Sequence, residues 1–298
     1  MTGLTITSTD LGVGYGRTSV LEGVNLDLGA DQIHGLLGRN GTGKTTLLST
    51  IASLRRPSHG TLRIDGEDPF ENERLMEGIC LIRESGDVLV DESLKNNLDF
   101  FEDARPTFDR AWAKELLADF GLQPKQKPKA LSRGQQSAVG VALGLAARAP
   151  VTMFDEVHLG MDAPARQLFY DTLLADFVEH PRTIILSSHL ISEIEHLLET
   201  VTVLHGGTVL LSDEVDDLRA RGATITGPAA VVDELAATHR QVLASRDLGP
   251  TRQVTLFGDL DEGALEQARL AGLEIGPVPL QDLFIHLTDT RQTNREAS

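Results

Sequence analysis

The nine residues GRNGTGKTT at 38–46 constrain this chain more than any other stretch. Gly38, Gly43, Lys44 and Thr45 have the phosphate-loop spacing, in which two glycines five apart are followed by Lys and a hydroxyl residue. The flanks agree: IHGLL at 33–37 reads as a buried strand, and TTLLSTIASL reads as a helix with its leucines on one face. A loop in that setting turns successive backbone N–H groups toward phosphate oxygens and adds the positive end of a helix dipole. Lys44 would then reach the β- and γ-phosphates, and the Thr45 hydroxyl would ligate Mg²⁺. A nucleotide site in an α/β fold is the expectation.

Composition narrows the partners. The formal net charge is −17, and aromatic residues are 4% of the 298. Both argue against a nucleic-acid partner, which would want a basic footprint or a stacking platform. Direct adhesion to an anionic membrane surface is disfavoured as well. No apolar run reaches the roughly 18 residues that cross a bilayer. The best candidate, at 139–154, is broken by Arg148 and Pro150. The stretch MTGLTITSTD lacks the basic and apolar regions of a signal peptide. A single cysteine, Cys80, excludes an internal disulfide and suits a reducing compartment.

Along the chain, residues 4–8 and 20–28 alternate with period two and read as antiparallel strands around a glycine-rich turn, LGVGYGRTSV, that holds Tyr15. TLRIDGEDP at 61–69 reads as a strand closed by an Asp-Gly turn, and ICLI at 79–82 as a short buried strand. Residues 84–150 carry helical spacing at 93–101, 107–121 and 134–149, broken by Pro106, Pro124 and Pro128, and are expected to form an inserted helical subdomain. VTMFDE at 151–156 and TIILSSH at 183–189 read as parallel strands whose C-terminal ends meet at one sheet edge. Helices are expected at 163–180 and 190–200, then a strand pair at 200–212. From about residue 219 the pattern restarts as strand, helix, strand, strand, helix, strand, a split βαβ order. An amphipathic helix at 280–288 and a flexible tail at 291–298 follow. The expected domains are therefore 1–218 and 219–290.

Chemistry concentrates in the first domain. An apolar strand delivering Asp155 fits the carboxylate on the metal side of a phosphate-loop enzyme. Glu156 would face the γ-phosphate, where a carboxylate can polarise the attacking water. LSRGQ at 131–135 is, taken alone, an ordinary helix start with Ser132 as its cap. It lies upstream of Asp155, however, and His189 lies downstream.

With these pieces in order, residues 4–217 resemble the ATP-binding subunits of ABC transporters. GRNGTGKTT resembles their phosphate loop, LSRGQ their signature loop, VTMFDE their Asp-Glu strand, GMD at 160–162 the loop after it, and Ser188-His189 their switch histidine. The resemblance implies an α/β phosphate-loop core of ABC type with an antiparallel β layer and an inserted helical subdomain; the pattern from residue 219 adds a small C-terminal α+β (ferredoxin-like) domain. It implies a head-to-tail dimer that sandwiches ATP and Mg²⁺. One copy would contribute Tyr15 against adenine, with Gly38, Asn40, Gly41, Gly43, Lys44, Thr45 and Thr46. The other would contribute Ser132, Gly134 and Gln135, and Asp162 would communicate across the interface. Glu156 would be the general base, His189 would contact the γ-phosphate, and Thr45, Asp155 and Glu84 would stand on the metal side.

Glu84 is a departure, since the family usually has Gln there. It adds a like charge beside Asp155 and Glu156. Arg133 replaces a more usual Gly, and Val157-His158 stands where the family commonly has Pro-Thr.

The function implied is ATP-driven export through a separate integral-membrane subunit. The dimer would form with itself or with a paralogous ATPase, in the cytoplasm and peripheral on the inner face of the cell membrane. A soluble ABC-type ATPase in a role such as cluster assembly is the alternative. A third reading, supported by the split βαβ pattern, makes residues 219–298 a regulatory or dimerisation module.

Overall fold

The computed structural model describes residues 3–84, 87–237, 242–258, 262–270 and 272–288; the tail expected at 291–298 lies outside them. Two compact units result. One is Met1–His189 with Leu197–Ser212, and the other is Leu190–His196 with Asp213–Ser298.

In the first unit, β1 (Ile6–Tyr15) and β2 (Thr18–Leu28) form a long hairpin rather than two short strands around a loose turn. Pairing continues to Tyr15↔Thr18, so the turn is only Gly16 and Arg17. The glycines that suggested a loop are strand residues for a steric reason. A Cβ on Gly12 would lie 1.9 Å from the His59 ring, and one on Gly14 would lie 2.8 Å from the Thr18 carbonyl. β3 (Ile33–Leu37) leads into the phosphate loop and α1 (Lys44–Ile51). β4 (His59–Ile64) completes a three-stranded antiparallel sheet ordered β2-β1-β4. A short α2 (Glu73–Glu77), too brief to show a period, precedes β5 (Ile79–Arg83).

The helical region comprises α3 (Leu94–Ala104), α4 (Arg110–Asp119) and α5 (Arg133–Ala147). Ser93, Asp109 and Ser132 cap them, each side chain accepting a backbone N–H of the first turn. β6 (Val151–Asp155), α6 (Ala163–Glu179) and β7 (Thr183–Ser188) follow. The helix expected at 190–200 shrinks to one turn, α7 (Ile191–Ile194). The chain leaves it because Glu199 N–H already bonds the Ile33 carbonyl at 2.9 Å, and the Leu198 side chain fills the space above Gly35. β8 (Thr200–His205) and β9 (Thr208–Glu214) close the main sheet, ordered β5-β6-β7-β3-β8-β9.

Strands β3, β6 and β7 are buried along their whole length, as parallel strands covered on both faces must be. Their apolar runs pack with α1 and the three-stranded sheet into one core that includes Leu11, Leu21, Leu48, Met153 and Ile185. The register aligns Arg83 with Asp155, Asp155 with Ser187, and Leu37 with Ser188. Polar residues thus arrive together at the C-terminal edge of adjacent strands, where open α/β sheets place their ligands.

The second unit contains α8 (Val215–Ala220), β10 (Gly222–Pro228), α9 (Ala229–Ala237), β11 (Val242–Leu248), β12 (Thr251–Phe257), α10 (Glu262–Leu270), β13 (Glu274–Pro277) and α11 (Leu280–Thr288). Its sheet runs β11-β12-β10-β13 with every neighbour antiparallel, the order of a split βαβ fold. Ile225, Val232, Val254, Leu256, Ala268 and Leu273 fill its core. α7 packs on α11 here, and Ser192 N–H donates to Gln281 Oε1 at 3.1 Å.

Candidate nucleotide site

The turn between β3 and α1 requires glycine at two points. Gly41 has φ +82° and Gly43 has φ +103°, and a Cβ on Gly43 would also meet Leu21 at 2.5 Å. The backbone then starts α1 at Lys44, with the helix N-terminus at the mouth of the loop. Lys44 curls back over the loop: its Nζ donates to the Gly38 carbonyl at 2.7 Å and the Arg39 carbonyl at 3.3 Å. The same Nζ lies 3.1 Å from Glu156 Oε1. That is an ion-pair distance without a directed hydrogen bond, so Oε1 stays buried with acceptor capacity in hand.

The ends of β6 and β7 supply the facing groups. Asp155, 3% exposed, accepts from Thr45 Oγ1 at 2.6 Å and from Ser187 Oγ at 2.5 Å. Glu156 adopts the left-handed conformation at φ +55°, which ends the strand and redirects its side chain. Its Oε2 is 2.9 Å from His189 Nδ1. His158, on the turn Val157–Gly160, brings Nε2 to 3.0 Å from Ser188 Oγ. Burial holds the His158 imidazole pKa down at about 4.

Of these groups, Lys44, Thr45, Asp155 and Glu156 line a cavity of about 600 Å³, with Asn40, Gly41, Gly43, Thr46, Arg83 and Glu84 around them. Glu84 is exposed, and its backbone carbonyl accepts from Ser137 Oγ of α5 at 2.9 Å. The loop curvature, the lysine and the helix N-terminus suit a polyphosphate. A hydroxyl and carboxylates are hard donors of the kind Mg²⁺ prefers. Among the described residues no cluster of three His, Cys, Asp or Glu side chains could hold a metal by itself. A cation here would therefore share its ligation with phosphate oxygens, as Mg²⁺ commonly does. The buried Glu156 Oε1, lacking a directed hydrogen bond, leaves an acceptor for water beside that position.

Not every expected residue gathers here. Gly38 contributes its carbonyl to Lys44 but does not line the cavity. Tyr15 stands at the hairpin tip, 48% exposed, with the Arg55 guanidinium 3.7 Å from its ring centre. Ser132 and Gln135 form a reciprocal capping box at the start of α5, outside the cavity. Gly134 has a packing reason of its own: a Cβ there would lie 2.2 Å from the Gly160 carbonyl. Asp162 caps α6, accepting Ala165 N–H at 3.0 Å. Sequence reasoning missed Ser187, although its place before Ser188-His189 at a strand end was the available signal. It also assigned no role to His158.

A family model described as ABC transporter matches residues 21–158. The methionine import ATP-binding protein MetN 1 of Rhodococcus jostii (strain RHA1) is 30% identical over 263 residues, which is 83% of this chain and 78% of the relative. The daunorubicin resistance ATP-binding protein DrrA3 of Streptomyces coeruleorubidus is 27% identical over 314 residues, covering 95% of this chain and 96% of the relative. A solved ATP-binding subunit of an ABC transporter matches in fold with a TM-score of 0.66 at 24% identity, over 72% of this chain and 92% of the other. On this similarity, and with a phosphate loop facing a carboxylate pair at one sheet edge, the chain belongs to the ATP-binding proteins of ABC transporters and is an ATPase.

Proposed function

We propose that this ATPase drives export through a separate membrane-spanning subunit, and that it hydrolyses ATP in a head-to-tail dimer. The observation that carries the reading is that Lys44 and Glu156 meet on the wall of the cavity where Thr45 and Asp155 already pair, with His189 against the second oxygen of Glu156. As ATP enters, Lys44 exchanges the Glu156 carboxylate for β- and γ-phosphate oxygens, which frees Glu156 to act as general base on a water. His189 holds Glu156 through Oε2, and through that contact would help to set the carboxylate and the attacking water. Thr45 and Asp155, already paired with each other, would hold Mg²⁺, with Glu84 on the same cavity wall. Mg²⁺ held there would supply positive charge to offset that developing on the phosphates. Tyr15 keeps an exposed ring available for adenine.

Ser132, Gly134 and Gln135 lie outside their own chain's cavity, so they are assigned to the site of the second copy, with Asp162 at the shared interface. That copy is a second molecule of this chain or a paralogue. The membrane subunit is assigned to a groove of about 330 Å³ lined by Leu54, Met76, Ile79, Leu81, Phe100 and Arg105, among others. Leu54 and Phe100 are 62% and 50% exposed there, costly for a surface that stays in water. Among the described residues no helix is long and apolar enough to cross a membrane, so the spanning segments are assigned to the partner. The complex would sit on the inner face of the cell membrane, where ATP is supplied. Export is preferred because the relative that matches nearly the whole chain is named for drug resistance.

Mixing two dead variants tests the dimer. Lys44→Ala and Ser132→Arg should each be inactive alone. An equimolar mixture should regain up to about a quarter of wild-type turnover, because half the dimers would carry one intact site out of two. A mixture as inactive as its components contradicts a head-to-tail site. Inverted vesicles with the partner subunit would settle direction by ATP-dependent uptake.

A further inference from the structure

His158 sits between the two strand ends that carry Glu156 and His189. It is 3% exposed, and a buried imidazole is tolerated only where its nitrogens find partners. Its Nε2 meets Ser188 Oγ at 3.0 Å, and Ser188 is the residue that delivers His189. The same Nε2 lies 3.9 Å from Glu156 Oε2, too far for a hydrogen bond but close enough to occupy the space into which that oxygen would swing. Among the described residues, His189 and Arg166 also act electrostatically on the ring.

We infer that His158 is a positioning residue for ATP hydrolysis, holding Ser188 and closing the space behind Glu156 so that the carboxylate and His189 keep their relative placement. The inference rests on the assignment of Glu156 as base. A neutral ring suits the task, because an imidazolium would pair with Glu156 and lower its basicity. Burial keeps the ring neutral near pH 7. His158 touches no part of the phosphate cavity, so its loss should act on turnover and not on ATP binding.

The test compares steady-state ATPase, ATP affinity and thermal midpoint for His158→Phe, His158→Gln, Ser188→Ala, the His158→Phe/Ser188→Ala double variant and Glu156→Gln. His158→Phe keeps an aromatic ring of similar size but loses Nε2. Its kcat should fall about tenfold with KM and ATP affinity unchanged. His158→Gln places an amide nitrogen near the Nε2 position and should recover most of the loss. The double variant should be no worse than the weaker of its two single variants, since the His158–Ser188 contact is already lost in each of them. Unchanged kcat in His158→Phe, or additive losses in the double variant, overturns the inference. If His158→Phe does not fold, His158→Gln against His158→Asn decides, because only Gln reaches the Nε2 position; equal kcat for the two overturns it. Glu156→Gln separates the two claims. Full hydrolysis in that variant removes the base assignment itself, whereas an inactive Glu156→Gln beside a fully active His158→Phe removes only the role of His158.

Discussion

At the scale of single residues, the site is a crowd of carboxylates offset by Lys44, with Arg83 on the same cavity wall. Asp155 is committed to Thr45 and Ser187, Glu156 leans on Lys44 and His189, and Glu84 joins the same cavity wall with no ion-pair partner among the described residues. Removing the Glu84 charge should ease entry of a polyanion. Glu84→Gln is expected to keep or raise ATPase activity and to tighten MgATP binding by on the order of twofold to fivefold in a fluorescence titration. Complete loss of activity would show that the acid has a specific task. His158 makes a second prediction through its depressed pKa. The folded ring titrates near 4 and the unfolded one near 6.5, so between those values the unfolded chain binds the extra proton. Stability from this group is full above the window and is lost as pH falls through it. Urea unfolding at pH 7 and pH 5 should show wild type losing about 2 kcal/mol more than His158→Gln. Equal losses would mean the ring is not held neutral by the fold.

At the scale of elements, the strands that carry the site are braced from behind by a buried ionic network. Asp176 of α6 pairs with Arg182 at 2.7 Å, both 2% exposed, and accepts from Arg148 Nε at 3.1 Å. Arg148 also reaches Asp109, the cap of α4, at 3.2 Å. Removing one member leaves a buried cation without its partner. Asp176→Ala should therefore cost about 3–5 kcal/mol in urea unfolding, and a loss under 1 kcal/mol would contradict a bracing role. This network was illegible in the sequence because its members come from four separate segments. The phosphate loop was legible because its chemistry is local: glycines, lysine and threonine act from adjacent positions. Asp155 and Glu156 were legible for the same reason, at the end of an apolar run. The hairpin at Gly12–Gly14 was misread because those glycines answer to His59 and Thr18, which no local pattern reveals. The helix at 190–200 was overextended because Leu197 and Leu198 satisfy a helical period as well as the sheet packing they adopt.

At the scale of the whole molecule, one chain combines a nucleotide-binding unit with a split βαβ unit whose order was readable from strand and helix alternation alone. What alternation could not show is that the second unit also takes in Leu190–His196, the residues directly after His189. The groove proposed for the membrane subunit was equally hidden, since Leu54, Met76 and Phe100 are far apart in sequence. Phe100→Asp, on the exposed face of α3, should leave the ATPase rate of the isolated chain within about twofold and abolish co-purification with the membrane subunit. Undiminished co-purification would place the partner elsewhere. The account as a whole stands on Glu156. The most direct measurement is ATP turnover by Glu156→Gln beside its ATP affinity and its mass in ATP by light scattering. The expected result is unchanged affinity, turnover reduced by about a hundredfold or more, and an ATP-stabilised dimer. Turnover close to wild type would contradict the assignment of Glu156 as the base, and with it the mechanism proposed for this site.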